Sequence, residues 1–119
     1  MKRLFILSVS LILSFTLATQ ATAQTKDDGT LRILAIGNSF SDDGTEYLPA
    51  LLENLNVKNV EVARLYVGGC TLEQHVNFYD NSEAAYKFYH SKAGENKWVE
   101  NPEKVTMQYA LAMGEWDII

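Results

Sequence analysis

The chain reads as an α/β domain whose sheet opens with parallel strands, and three stretches of the sequence carry that reading. Leu31-Arg32-Ile33-Leu34-Ala35-Ile36 is an apolar run that stops at the small polar turn Gly37-Asn38-Ser39-Phe40-Ser41. That is the pattern of a buried strand delivering polar residues to its C-terminal edge. A helix-period segment follows, and then a second apolar stretch, Val60 to Val67. Strand, helix and strand in that order predict a parallel crossover. Trp116-Asp117-Ile118-Ile119 opens a third strand.

Before the first strand, Lys2 and Arg3 lead into the apolar stretch Leu4 to Ala18, and Ala21-Thr22-Ala23 precede Gln24. A basic start, an apolar centre and a small-x-small site make residues 1–23 a secretory signal peptide. A membrane anchor fits less well, because Ser8, Ser10, Ser14 and Thr16 interrupt a stretch shorter than the ~20 residues of a spanning helix. No cysteine stands at the cleavage region, so there is no lipobox, and the expected location is the periplasm or the outside of the cell. No membrane association is expected after cleavage. Residues 24–30, with Asp27-Asp28-Gly29, read as a solvated leader, and residues 31–119 as the domain.

Cleavage leaves 96 residues, enough for one small domain with a modest core and for no second domain. Cys70 is the only cysteine, so no internal disulfide staples the fold and its stability rests on packing. The mature chain carries 8 basic against 15 acidic side chains, a net charge of about −7. That balance argues against nucleic acid or anionic lipid as a partner.

Leu48, Leu51, Leu52 and Leu55 recur at helical spacing after the Gly37 to Ser41 loop. Pro49 fits only a first turn, so the helix is expected to start near Thr45 to Leu48, capped by Thr45 or by Asp42 and Asp43. Ser39 then lies in the turn, upstream of the helix. After the second strand, Gly68-Gly69-Cys70-Thr71 breaks the chain, and Thr71 with Gln74 forms a capping-box pattern for a helix carrying Leu72, Val76 and Tyr79. Ala85 to Tyr89 suits a helix or a short strand equally. Asn101-Pro102-Glu103 predicts a helix start, and Gly114 its end, with the helix running to about Met113.

A domain with two covered sheet faces needs more strands than these, so the chain is expected to be the N-terminal part of a larger domain. The isolated mature chain is expected to be poorly soluble for the same reason.

Two loops carry candidate chemistry. A serine at the C-terminal edge of a central strand is exposed and has backbone N–H groups nearby for a developing oxyanion, which makes Ser39 a candidate nucleophile. The alternative is a loop whose Ser39 and Asn38 only satisfy backbone groups. Gly68 and Gly69 let the backbone approach a ligand closely, with Thr71 capping the next helix; the alternative is an ordinary tight turn. A serine also requires a base, and the chain offers only His75 and His90.

Ile36-Gly37-Asn38-Ser39-Phe40-Ser41 resembles the first sequence block of the SGNH (GDSL-like) hydrolases, and Gly68-Gly69-Cys70-Thr71 resembles the second. More narrowly, the chain resembles the DUF4886 group of secreted bacterial SGNH-type proteins, a similarity that takes in Tyr47-Leu48-Pro49-Ala50-Leu51 and Trp116-Asp117-Ile118-Ile119. The resemblance implies a flavodoxin-like three-layer α/β/α fold and serine ester hydrolysis with no metal or other cofactor, often on acylated carbohydrates. It implies Ser39 as nucleophile, with the N–H groups of Ser39 and Gly69 in the oxyanion hole and Gly37, Asn38, Gly68 and Thr71 supporting them. The third-block asparagine and the late Asp-x-x-His pair of such enzymes have no counterpart up to Ile119, so the chain as it stands is expected to be inactive. Many members carry aspartate where this chain has Asn38; asparagine keeps an acceptor, loses the charge and gains donors.

The other candidates read as structural. His75 and His90 suit a core edge, Asp42 and Asp43 suit a helix start, and Cys70 suits a small buried thiol, although a helix N-terminus would lower its pKa. No Cys, His and Asp grouping has metal-site spacing. Tyr86, Phe88, Tyr89 and Trp98 suit either the core or a sugar-binding surface. A secreted carbohydrate-binding or interaction module of the same fold is therefore the rival expectation, and an anion-binding flavodoxin-like domain a third.

Overall fold

The computed structural model describes residues 28–119; the expected signal peptide at 1–23 and most of the expected leader lie outside the described residues. Leu31–Gly37 forms β1 and Val60–Tyr66 forms β2, paired in parallel from Leu31 opposite Val60 to Gly37 opposite Tyr66. Lys87–Ser91 forms β3, antiparallel to β2, and the two-residue β4, Val99–Glu100, is antiparallel to β3. The sheet order is β1-β2-β3-β4. The helices are α1 (Ser39–Thr45), α2 (Leu48–Asn54), α3 (Leu72–Asp80) and α4 (Met107–Met113).

Side chains alternate across a strand, so each strand serves two faces. Leu34, Ala63, Leu65 and Phe88 share one face and are buried with Tyr86, Val105 and Ala110. Phe78 of α3 and Met107 and Leu111 of α4 pack against that cluster, and Trp116 closes it. Arg64 belongs to the alternate set of β2 positions, and it meets Asp42 of α1 at 2.8 Å. Helices therefore serve both faces of the sheet.

The sheet is mixed, which departs from the expectation of three parallel strands. Parallel pairing holds for β1 and β2, but the segment Ala85 to Tyr89 resolves as the antiparallel β3. The expected third parallel strand is reduced to a bridge between Ile118 and Ile33, with Leu34 N–H donating to Ile118 O at 2.9 Å. That bridge lies on the edge of β1 away from β2.

The predicted helix start near Leu48 holds for α2, although its cap position is Tyr47 and neither Thr45 nor the aspartates cap it. An additional helix precedes it: α1 begins at Ser39, capped by Asn38, whose Oδ1 accepts from Phe40 N–H at 3.0 Å, so Ser39 lies in a helix and not in a turn upstream of one. An asparagine at N-cap needs no proline or apolar period to start a turn, so periodicity alone misses it. The last helix begins at Met107 with Thr106 as cap, not at Pro102. Val105 is held extended by reciprocal hydrogen bonds with Tyr86 of 2.9 and 3.1 Å, and buried β pairing overrides the local helix signal.

Leu52 and Pro49 are buried in α2, while Leu51 and Leu55 of the predicted apolar face are exposed. In α3 the residues directed at the core are His75 and Phe78, both against Tyr86, whereas Leu72, Val76 and Tyr79 are exposed.

Candidate functional site

The C-terminal ends of β1 and β2 carry the two loops singled out in the sequence, and the structure brings them side by side. Val67 N–H donates to Gly37 O at 3.1 Å, continuing the strand pairing into the loops. Asn38 Nδ2 then donates to Cys70 O at 2.8 Å, bridging the start of α1 to the Gly68 to Thr71 turn. Asn38 thus spends its acceptor on the helix cap and its donor on the neighbouring loop.

Ser39 is the first residue of α1 and is exposed. The first-turn N–H groups of a helix have no intrahelical acceptor. Among the described residues neither the Ser39 hydroxyl nor its N–H makes a protein hydrogen bond, and the Gly69 N–H makes none either. Ser41 Oγ, in contrast, donates to Asn38 O at 2.8 Å and is occupied.

Glycine is required at two of these positions. Gly69 has φ +65°, which strains any residue with a Cβ, and open space surrounds it. A Cβ on Gly37 would stand 2.7 Å from Ser41 Oγ, so the strand-to-helix turn closes only without one. Thr71 accepts from Gln74 N–H at 3.2 Å, and its own N–H donates to Gln74 Oε1 at 2.9 Å, completing the predicted capping box.

Neither histidine serves Ser39. His75 Nδ1 lies 2.9 Å from Tyr86 OH with the rings stacked, and burial pushes its pKa down. Tyr86 is raised to about 12 by burial, with the nearby Cys70 adding to the effect, so it stays a neutral phenol. His90 Nε2 lies 2.7 Å from Glu61 Oε1, in β2 and far along the strand from the loops. Cys70 is buried, and burial pushes its thiol pKa up, opposite to the direction that a helix start would favour.

Of the aromatic residues, Tyr86 and Phe88 are buried in the core, while Tyr89 and Trp98, both partly exposed, lie against the Arg64 guanidinium. Among the described residues there is no cluster of three or more His, Cys, Asp or Glu arranged to hold a metal ion. No helix there is long and apolar enough to cross a membrane.

Sequence reasoning missed Arg64. Its signal was available: a single arginine inside the apolar strand Val60 to Val67.

These features define a class: α/β proteins with an exposed serine on the strand-to-helix turn after the first strand, facing a glycine turn after the second. The chain belongs to the DUF4886 family, whose model, a domain of unknown function, matches residues 32–119. Among solved structures it is similar to a DUF4886 family protein from Bacteroides uniformis, at 36% identity and a TM-score of 0.66. That match covers 75% of this chain and 34% of the other, so the chain spans about a third of the length of its solved relative. A comparison with curated proteins finds no match.

Proposed function

We propose that the full-length protein is a secreted or periplasmic serine ester hydrolase of SGNH type, acting on acylated carbohydrate or another small ester. The observation that carries this reading is the Asn38 to Cys70 bridge, which joins the loop of Ser39 to the loop of Gly69, with the Ser39 hydroxyl and the N–H groups of both residues unengaged by other protein groups. A flavodoxin-like three-layer sheet is supported by the Ile118 bridge, because it leaves β1 between β2 and the chain's last residues. With β2 on one side of β1 and the Ile118 segment on the other, the topological switch point falls at the C-terminal end of β1, where ligands bind in such sheets.

In this mechanism Ser39 Oγ forms a bond to the acyl carbon and its proton passes to a base. The carbonyl electron pair moves onto oxygen, where the Ser39 and Gly69 N–H groups stabilise the charge. Collapse of that intermediate expels the alcohol, which takes the proton, and water then cleaves the acyl-serine by the same route. No Asp-x-x-His pair occurs in this sequence and neither of its histidines meets Ser39, so turnover is expected of the full-length protein and not of residues 24–119. No cofactor takes part.

The test is hydrolysis of a short-chain aryl ester by the full-length protein and by its Ser39→Ala variant. The variant is expected to lose at least about a thousandfold in kcat, in line with loss of a nucleophile. Undiminished turnover would sink the assignment.

A further inference from the structure

α1 carries the candidate nucleophile, yet no buried apolar side chain of its own anchors it to the sheet. Its seven residues bury none of their side chains, and Phe40 stands 83% exposed. A helix of that length is unstable alone, and Gly44 within it costs about 1 kcal/mol relative to alanine. Polar contacts must fix it, and beyond the Asn38 cap they converge on Arg64.

Arg64 sits in the middle of β2, opposite Ala35 of β1 and Tyr89 of β3, with a side chain 7% exposed. Its guanidinium carbon lies 4.5 Å from the Tyr89 ring centre and 4.8 Å from that of Trp98. Its Nη1 reaches Asp42 Oδ1 of α1 at 2.8 Å, a charge contact misaligned for a hydrogen bond. Trp98 in turn donates from Nε1 to Glu46 O at 2.8 Å, one residue past the end of α1. One buried cation therefore gathers the middle of α1, its C-terminal end and the β3–β4 excursion. An apolar side chain of similar volume would serve stability as well, because burying an ion pair costs desolvation; what it would not supply is direction.

We infer that Arg64 is a positioning residue: through Asp42 and Trp98 it fixes α1 against the sheet and so holds Ser39 in register with the Gly69 N–H. The catalytic consequence rests on the hydrolase reading above; the anchoring of α1 does not.

Both are measured in the full-length protein, by amide hydrogen exchange and by aryl-ester kinetics, for Arg64→Met and Asp42→Asn. The amides of residues 41–45 are expected to exchange at least about tenfold faster in each variant, while those of β1 keep their protection. In both variants kcat is expected to fall about 10- to 100-fold with KM within about threefold, the mark of a misplaced group. If Arg64→Met unfolds globally, Asp42→Asn decides, since it keeps the Arg64 side chain and its packing on Tyr89 and Trp98 and changes no core residue. Unchanged exchange across α1 overturns the proposal, as does a fall in kcat without faster exchange there. A parent protein with no ester turnover would defeat the hydrolase reading while exchange still decides whether Arg64 anchors α1.

Discussion

Asn38 performs two tasks that an aspartate cannot combine. Its Oδ1 caps α1 and its Nδ2 reaches Cys70 O, so the donor gained over an aspartate is the group that joins the two loops. Asn38→Asp keeps the cap but turns a carboxylate oxygen onto a carbonyl oxygen. We expect a loss of about 1–3 kcal/mol, the cost of replacing a partly buried hydrogen bond by a repulsive contact, read from urea unfolding of the parent and the variant. Equal midpoints and slopes would show that the bridge contributes nothing. From the sequence the substitution could be read only as a trade of charge for donors; the distance to Cys70, 32 residues on, is tertiary information.

At the scale of elements, α3 was the most legible, because its start is written locally. Thr71 and Gln74 satisfy each other's backbone N–H groups, and the structure shows both halves of that exchange. Thr71→Ala is expected to cost about 1 kcal/mol, and to speed exchange at the Gln74 amide, which loses its acceptor. A variant indistinguishable from the parent in stability and in that amide would contradict it. The first strand and the parallel pair were equally legible, since an apolar run and a crossover are sequence-local patterns. α1 was not, because Asn38 starts it without a run of apolar residues, and of α4 the end at Met113 was legible but the start was not, because Val105 is drawn into pairing with Tyr86. Which apolar residues of α3 face inward was also hidden. Its contact with the core runs through His75 and Phe78, chosen by the position of Tyr86.

For the molecule as a whole, that same His75 links stability to pH. Burial lowers its pKa from 6.5, so the folded state binds this proton less readily than the unfolded chain. Between the folded value and 6.5 the unfolded state holds more protons, and stability rises with pH across that window. The contribution is intact above 6.5 and is lost as pH falls through the folded value. Asp28, drawn down to about 2 by Arg32 and Thr30, acts in the same sense but only in strong acid, so the windows are separate. Thermal unfolding at pH 7.5 and 5.5 should therefore show a fall for the parent that His75→Gln lacks. An equal fall in both would assign the effect to other groups.

The sequence by itself determined the α/β class, the first strand and its polar turn, the parallel crossover, the capped third helix and the two loops of the candidate site, because each is a pattern of neighbours along the chain. Only the tertiary structure decided that β3 and β4 run antiparallel, that the aromatic residues serve the core and Arg64, and that Asn38 ties one loop to the other. Those outcomes depend on partners tens of residues away, and hydrogen-bonding and burial between distant segments outweigh the local preferences of either.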